Sequence, residues 1–188
     1  MGAELEVDFV VYLGDPDDGA EAIESRAAIA LENIGQRLDW PDVYGAITVR
    51  EKGEPVLSLR PDPLFSLVTN TVKALPYVIE GEAETVLLAE SEHGLLLEPA
   101  GNDAMVSFFV GDPYEPESFL LEPKSVPLGE LGTQVLGMGE RLRDLMRASD
   151  PQIFDRDDYS GSLLNFLEEG RDRLKTFELK VERGLRVE

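Results

Sequence analysis

Hydrophobic and polar residues alternate strictly near the start of the chain. Leu5, Val7, Phe9, Val11 and Leu13 share one face and Glu4, Glu6 and Asp8 the other, the two-residue period of a strand over 4–13. A run of turn formers follows, Gly14-Asp15-Pro16-Asp17-Asp18-Gly19. The period then lengthens: Ala20, Ile23, Ala27, Leu31, Ile34 and Leu38 recur at helical spacing and predict a helix of about twenty residues. Trp40-Pro41-Asp42 ends it, because a residue before proline is pushed out of helical geometry. Strands over 43–50 and 55–60 flank Glu51-Lys52-Gly53-Glu54, which reads as a hairpin turn.

Asp62-Pro63 has the form of a helix start, with Asp62 as the cap and Pro63 in the first turn. Leu64, Leu67, Val68, Thr71, Val72 and Leu75 then repeat helically until Pro76. Strands are expected over 84–90, 94–98 and 103–110, with His93 in the turn Glu92-His93-Gly94. Residues 111–127 carry four prolines and read as a surface loop around one short strand, Ser118 to Glu122. Two long helices close the pattern. Leu128, Leu131, Val135, Met138, Leu142 and Leu145 form a seam in the first; Leu163, Leu167, Gly170, Leu174, Phe177 and Val181 form one in the second.

Joined through Asp150-Pro151, these helices are expected to pair antiparallel against the sheet, with a dimer seam as the alternative. Gly129, Gly132, Gly137 and Gly139 in the first helix imply a late helix start or a close helix contact, since each costs about 1 kcal/mol relative to Ala. Asp157 or Asp158 serves as a helix cap. The order of elements predicts an α+β fold: a mainly antiparallel sheet, helices packed on one face and a C-terminal antiparallel helix pair. Residues 1–150 form an acidic α+β domain and 151–188 a C-terminal helix packed on it, one domain overall.

Composition narrows function by exclusion. The 188 residues hold 38 acids against 17 bases, a net charge of −21, which opposes binding to a phosphate backbone or to anionic lipid. Zero cysteines remove disulfides, thiolate metal sites and thiol catalysis, and His93 is the single histidine. There is no apolar run of membrane-spanning length. The N-terminal segment carries acids where a signal peptide is basic, and Glu6 stands where a myristoylation motif has Ser or Thr. A cytoplasmic location is therefore expected.

The motifs of catalysis are missing. No P-loop occurs, Gly137-Met138-Gly139 lies in a helical pattern, and Ser160-Gly161-Ser162 is not a nucleophile elbow. The acidic run from Asp155 to Gly161 places Tyr159 and Ser160 where a calcium loop needs an oxygen ligand and a glycine. No catalytic residue, metal or cofactor is expected.

The charge is distributed unevenly. Residues 75–140 hold 13 acids against one base, Lys124; residues 1–25 hold 8 acids and no base. A solvated, soluble surface accounts for acidity without any partner, and adaptation to high salt does so too, although the nearly balanced C-terminal helix counts against the second. The third reading, led by the 13-to-1 ratio, is a non-catalytic acidic binding protein that neutralises a basic protein partner by electrostatic occlusion, such as the immunity protein of a toxin or nuclease. Glu80, Glu82, Glu84, Glu90, Glu92 and Glu98 are the expected contacts, with Asp112, Tyr114, Glu115, Glu117 and Phe119 from the proline-rich segment. A dimeric chaperone or adaptor for a client protein, or a salt-adapted protein without such a partner, are the alternatives; the chain is expected to be a monomer or homodimer.

Overall fold

In the computed structural model, which describes residues 5–58, 60–156 and 158–184, the alternating first segment forms strand β1 (Leu5–Leu13). Its odd-numbered residues turn inward: Leu5, Val7, Phe9 and Val11 are all buried. β1 pairs on one side with β2 (Glu21–Glu24) and on the other with β3 (Tyr44–Glu51), which also pairs with β4 (Glu54–Ser58) and β5 (Asp62–Pro63). Lys52 and Gly53 both adopt positive φ, the geometry of a two-residue hairpin between β3 and β4.

A second sheet is a simple meander in chain order: β6 (Glu84–Leu87), β7 (His93–Ala100), β8 (Asp103–Asp112) and β9 (Glu115–Pro127). Every pairing in both sheets is antiparallel. The protein thus has the α+β architecture expected, with its strands divided between two sheets.

Helices α2 (Leu64–Ile79) and α3 (Leu128–Ser149) join the sheets. α2 packs against β3, β6 and β7, and α3 against β1, β8 and β9. Phe9 and Ile47 from the first sheet, Leu95 and Phe108 from the second, and Leu67 and Met138 from the helices belong to one continuous hydrophobic cluster. Between β1 and α3, Gln134 mimics a strand: its Oε1 accepts from Val7 N at 2.9 Å and its Nε2 donates to Leu5 O at 2.9 Å. That satisfies backbone groups of β1 beyond the reach of short β2.

After short helices α1 (Ser25–Ile29) and α4 (Ile153–Arg156), α5 (Asp158–Glu182) returns along α3. Gly132 faces Leu174, Leu136 faces Gly170 and Gly139 faces Leu167, so the two helices run antiparallel. A Cβ on Gly132 would stand 2.7 Å from Leu174 Cδ1, and one on Gly170 would stand 2.8 Å from Leu136 Cδ2. Two of the four glycines of the α3 pattern, Gly132 and Gly139, thus serve close packing. Leu128, Leu131, Val135, Met138, Leu142 and Leu145 are buried within the chain. Val181 is not; it stands 36% exposed near the end of α5.

The structure corrects several sequence expectations. Residues 20–38 form β2, α1 and a 3-10 turn at Ile34–Gln36, not one long helix. The unpaired edge of β1 captures Glu21–Glu24, and Asn33 adopts a left-handed φ of 61°, so tertiary pairing overrides helical periodicity. Pro76 lies inside α2, which runs on to Ile79; the ring's fixed φ is itself helical, and Pro76 O accepts from Glu80 N at 3.1 Å. The 111–127 segment is a hairpin end and the 13-residue strand β9, not a loop. As an edge strand with register shifts along β8, β9 tolerates prolines that a central strand would reject. His93 opens β7 opposite Val110 instead of lying in the turn.

Asp62 does not cap α2; Pro63 holds the cap position, and the Asp62 carboxylate reaches across to the second sheet. Glu4, Leu59 and the expected cap Asp157 lie outside the described residues, while Asp158 opens α5. Among the described residues, no helix is long and apolar enough to cross a membrane.

Candidate functional site

The strand order of the second sheet decides which expected contacts meet. The β6–β7 turn and the β8–β9 turn lie at the same end, because Leu87 pairs with Gly94, His93 with Val110, and Asp112 with Glu115. Gly111 N donates to Glu92 O at 2.7 Å and fastens the two turns together. Glu90, Glu92, Asp112, Glu115 and Glu117 therefore gather at one end. Asp112 Oδ1 accepts from Tyr114 N at 2.8 Å and shapes the turn tip, where Tyr114 stands 96% exposed. Phe119 lies on β9 opposite Phe109, 38% exposed.

The remaining expected contacts lie elsewhere. Glu84 pairs with Leu97 and Glu98 with Met105, toward the far end of the second sheet. Glu80 follows α2 and forms an ion pair with Arg173 of α5, and Glu82 follows in the connection to β6. The eleven residues thus form two groups, and only the group at the turns carries an exposed aromatic tip.

The first sheet adds acids to that end. A groove of about 620 Å³ is lined by Asp15, Asp17, Asp39, Asp42 and Glu90, with Tyr12, Tyr44, Arg37 and Arg60. Tyr44 Oη donates to Glu90 Oε1 at 2.7 Å. That bond to a carboxylate, reinforced by burial and the charge of Glu90, raises the Tyr44 pKa above its ordinary value and keeps the phenol protonated. Asp62 lies beneath: its Oδ2 accepts from Ala89 N at 3.1 Å and its Oδ1 from Glu90 N at 2.9 Å. Burial raises the Asp62 pKa; the two backbone donors oppose the shift, and the charge of Glu90 adds to it. Asp62 thus ties the strand leading into α2 to the β6–β7 turn and fixes Glu90 over the groove.

Sequence reasoning missed Asp15, Asp17, Asp39, Asp42, Tyr44 and Asp62 as neighbours of Glu90. Their local signal was only a pair of Asp-Pro-rich turns, and a long helix over 20–38 would have held those turns apart.

Chemically, this end offers carboxylate acceptors around aromatic rings, the complement of lysine and arginine side chains. Its one hydroxyl–carboxylate contact among the described residues is Tyr44 with Glu90, where the phenol is held protonated. His93 Nδ1 is buried without a hydrogen-bond partner. No group of three or more His, Asp or Glu among the described residues is arranged to hold a metal ion.

A second groove, of about 710 Å³, contrasts with the first. Arg26, Arg50, Arg141 and Arg171 line it together with Glu6, Asp8, Glu24, Glu140 and Glu178. Arg141 donates to Asp8 Oδ1 through Nε at 3.2 Å and Nη2 at 2.9 Å, and Ser25 Oγ donates to the same oxygen at 3.1 Å. Arg171 Nη2 meets Glu140 at 2.6 Å and Arg50 pairs with Glu24. Within this groove the chain thus answers Asp8, Glu24 and Glu140 itself. No family model, curated protein or solved structure matches this chain.

Proposed function

We propose that the protein is a non-catalytic binding protein that engages a basic protein partner through the acidic end of its second sheet. The observation carrying this reading is the convergence of Glu90, Glu92, Asp112, Glu115 and Glu117 around the exposed Tyr114, in a region where Lys124 is the sole base between residues 75 and 140. Lys124 itself is occupied, its Nζ 2.6 Å from Glu51 Oε1. A surface on which acids outnumber bases attracts a basic partner over long range and repels acidic ones. Occlusion of a basic active-site cleft, as in the immunity protein of a toxin or nuclease, is the form of binding we favour. It takes place in the cytoplasm and needs neither cofactor nor metal.

The test is capture from source-cell lysate at low salt, with release by a rising salt gradient and identification by mass spectrometry. The reading predicts one dominant basic protein eluting late from the natural chain and lost from a variant carrying Glu115→Lys and Glu117→Lys. Equal capture of that protein by the charge-reversed variant contradicts it. A client-binding adaptor makes a different prediction, a stable homodimer without any partner, which sedimentation of the purified chain detects.

A further inference from the structure

The outer face of the second sheet is apolar where a solvent face is ordinarily polar. Register places Leu87, Gly94, Phe109 and Phe119 in one row across all four strands, with Leu96 and Met105 on the same face farther along. Leu87 is 54% exposed and Phe119 38%, while Leu96 and Met105 are half-buried. Phe109 is fully buried yet stands apart from the main hydrophobic cluster. The tip of its ring lies over Gly94, where a Cβ would collide with it. α2 and α3 cover the opposite face, on which Leu95, Leu97, Val106 and Phe108 join the core.

Acids bound this apolar row at both ends: Glu92, Asp112, Glu115 and Glu117 at the turns, Glu98 and Asp103 at the other. Four strands span about 14 Å, wide enough to seat one amphipathic helix or a pair of strands. Within the face, Ser107 is 1% exposed and its hydroxyl has no hydrogen-bond partner, a cost the chain accepts in keeping the face dry.

We infer that this face seats a basic amphipathic segment of the partner, apolar side chains against Leu87, Leu96, Met105 and Phe119, lysines or arginines reaching the acids at either end. Charge selects this occupant. A second copy of the chain would bring its own acids against the same acids, and an anionic membrane is repelled by them. The inference rests on the partner-binding reading and adds where contact is made and what chemistry recognises it. The apolar row supplies affinity; the acids supply orientation and speed of encounter.

The probe is a peptide of alternating lysine and leucine, with an oligolysine of equal length as the charge-only control, titrated calorimetrically into the full chain. The lysine–leucine peptide is expected to bind at least about tenfold more tightly than oligolysine. Leu87→Ser with Phe119→Ser, both at exposed positions, is expected to remove that advantage while the melting curve stays in place. Equal binding of both peptides, unchanged by these substitutions but lost on Glu115→Lys and Glu117→Lys, overturns the apolar seat and leaves the acidic reading standing. Binding of neither peptide overturns both. Self-association of the free chain that Leu87→Ser abolishes assigns the face to a second copy and overturns the inference.

Discussion

On the solvent side of the first sheet, Glu6 pairs across the strands with Arg50 and Asp8 with Thr48. Arg50 and Asp8 are answered within the chain, by Glu24 for Arg50 and by Arg141 and Ser25 for Asp8. On the solvent side of the second sheet, Leu87, Leu96, Met105 and Phe119 lie between Glu92, Glu98, Asp112 and Glu117, none of which forms an ion pair with another described residue. Both sheets bury their other face against the same helices, so stability alone does not require the difference. Polar contacts satisfied inside the chain leave little for a partner to gain; exposed apolar area and uncompensated charge leave much. The contrast is the physical basis for placing binding on the second sheet.

The sharpest way to break this comparison is at Phe109. If its burial comes from the chain's own packing over Gly94, Phe109→Ala costs about 3 to 5 kcal/mol in urea unfolding. A cost near zero would mean that the row is loose in the free protein. Asp62 ties the two sheets together, and Asp62→Ala, which strips the acceptor from Ala89 N and Glu90 N, costs about 2 kcal/mol by the same measurement.

Asp62 also sets a pH dependence. Its folded pKa lies above the ordinary aspartate value of 3.8, so the native state holds this proton more tightly than the unfolded one does. The stability of the natural chain relative to Asp62→Asn, which cannot titrate, should therefore increase as pH falls through the folded pKa toward 3.8. A difference that stays constant between neutral and acidic pH contradicts the assignment. Ser107→Ala removes a buried hydroxyl without a partner and is expected to stabilise by about 1 kcal/mol. Smallest of all is Leu87→Ser, which at an exposed position should shift stability by no more than about 0.5 kcal/mol while changing binding.

Legibility in the sequence followed the range of the interactions involved. The alternation of β1 and the seams of α3 and α5 are local patterns locked in by burial, and the structure reproduces them up to Val181, which lies exposed near the end of α5. Gly132 and Gly139 signalled the close helix contact that Leu174 and Leu167 now fill. Residues 20–38 misled because a partner edge outweighed their helical period, and β9 misled because proline on an edge strand costs no ladder bond. The acidic composition was visible at once, yet which acids meet depends on strand order. Nothing local distinguished Glu80, held by Arg173, from Glu92, fastened to Gly111. Asp62 looked like a cap because its sequence neighbours fit one; its real donors lie 27 and 28 residues away. The apolar face escaped notice because Phe109 and Phe108 are adjacent in sequence and read alike, while only one belongs to the core.

The most direct test compares the two faces in one experiment. Backbone amide shifts of the full chain, followed by heteronuclear NMR while the lysine–leucine peptide is added, locate its contact residue by residue. The largest changes are expected at Leu87, Leu96, Met105, Phe119 and the adjoining acids Glu92 and Glu117, with Glu6, Asp8 and Arg50 on the first sheet unmoved. Changes centred on the first sheet, or spread evenly over every acidic stretch, would contradict it.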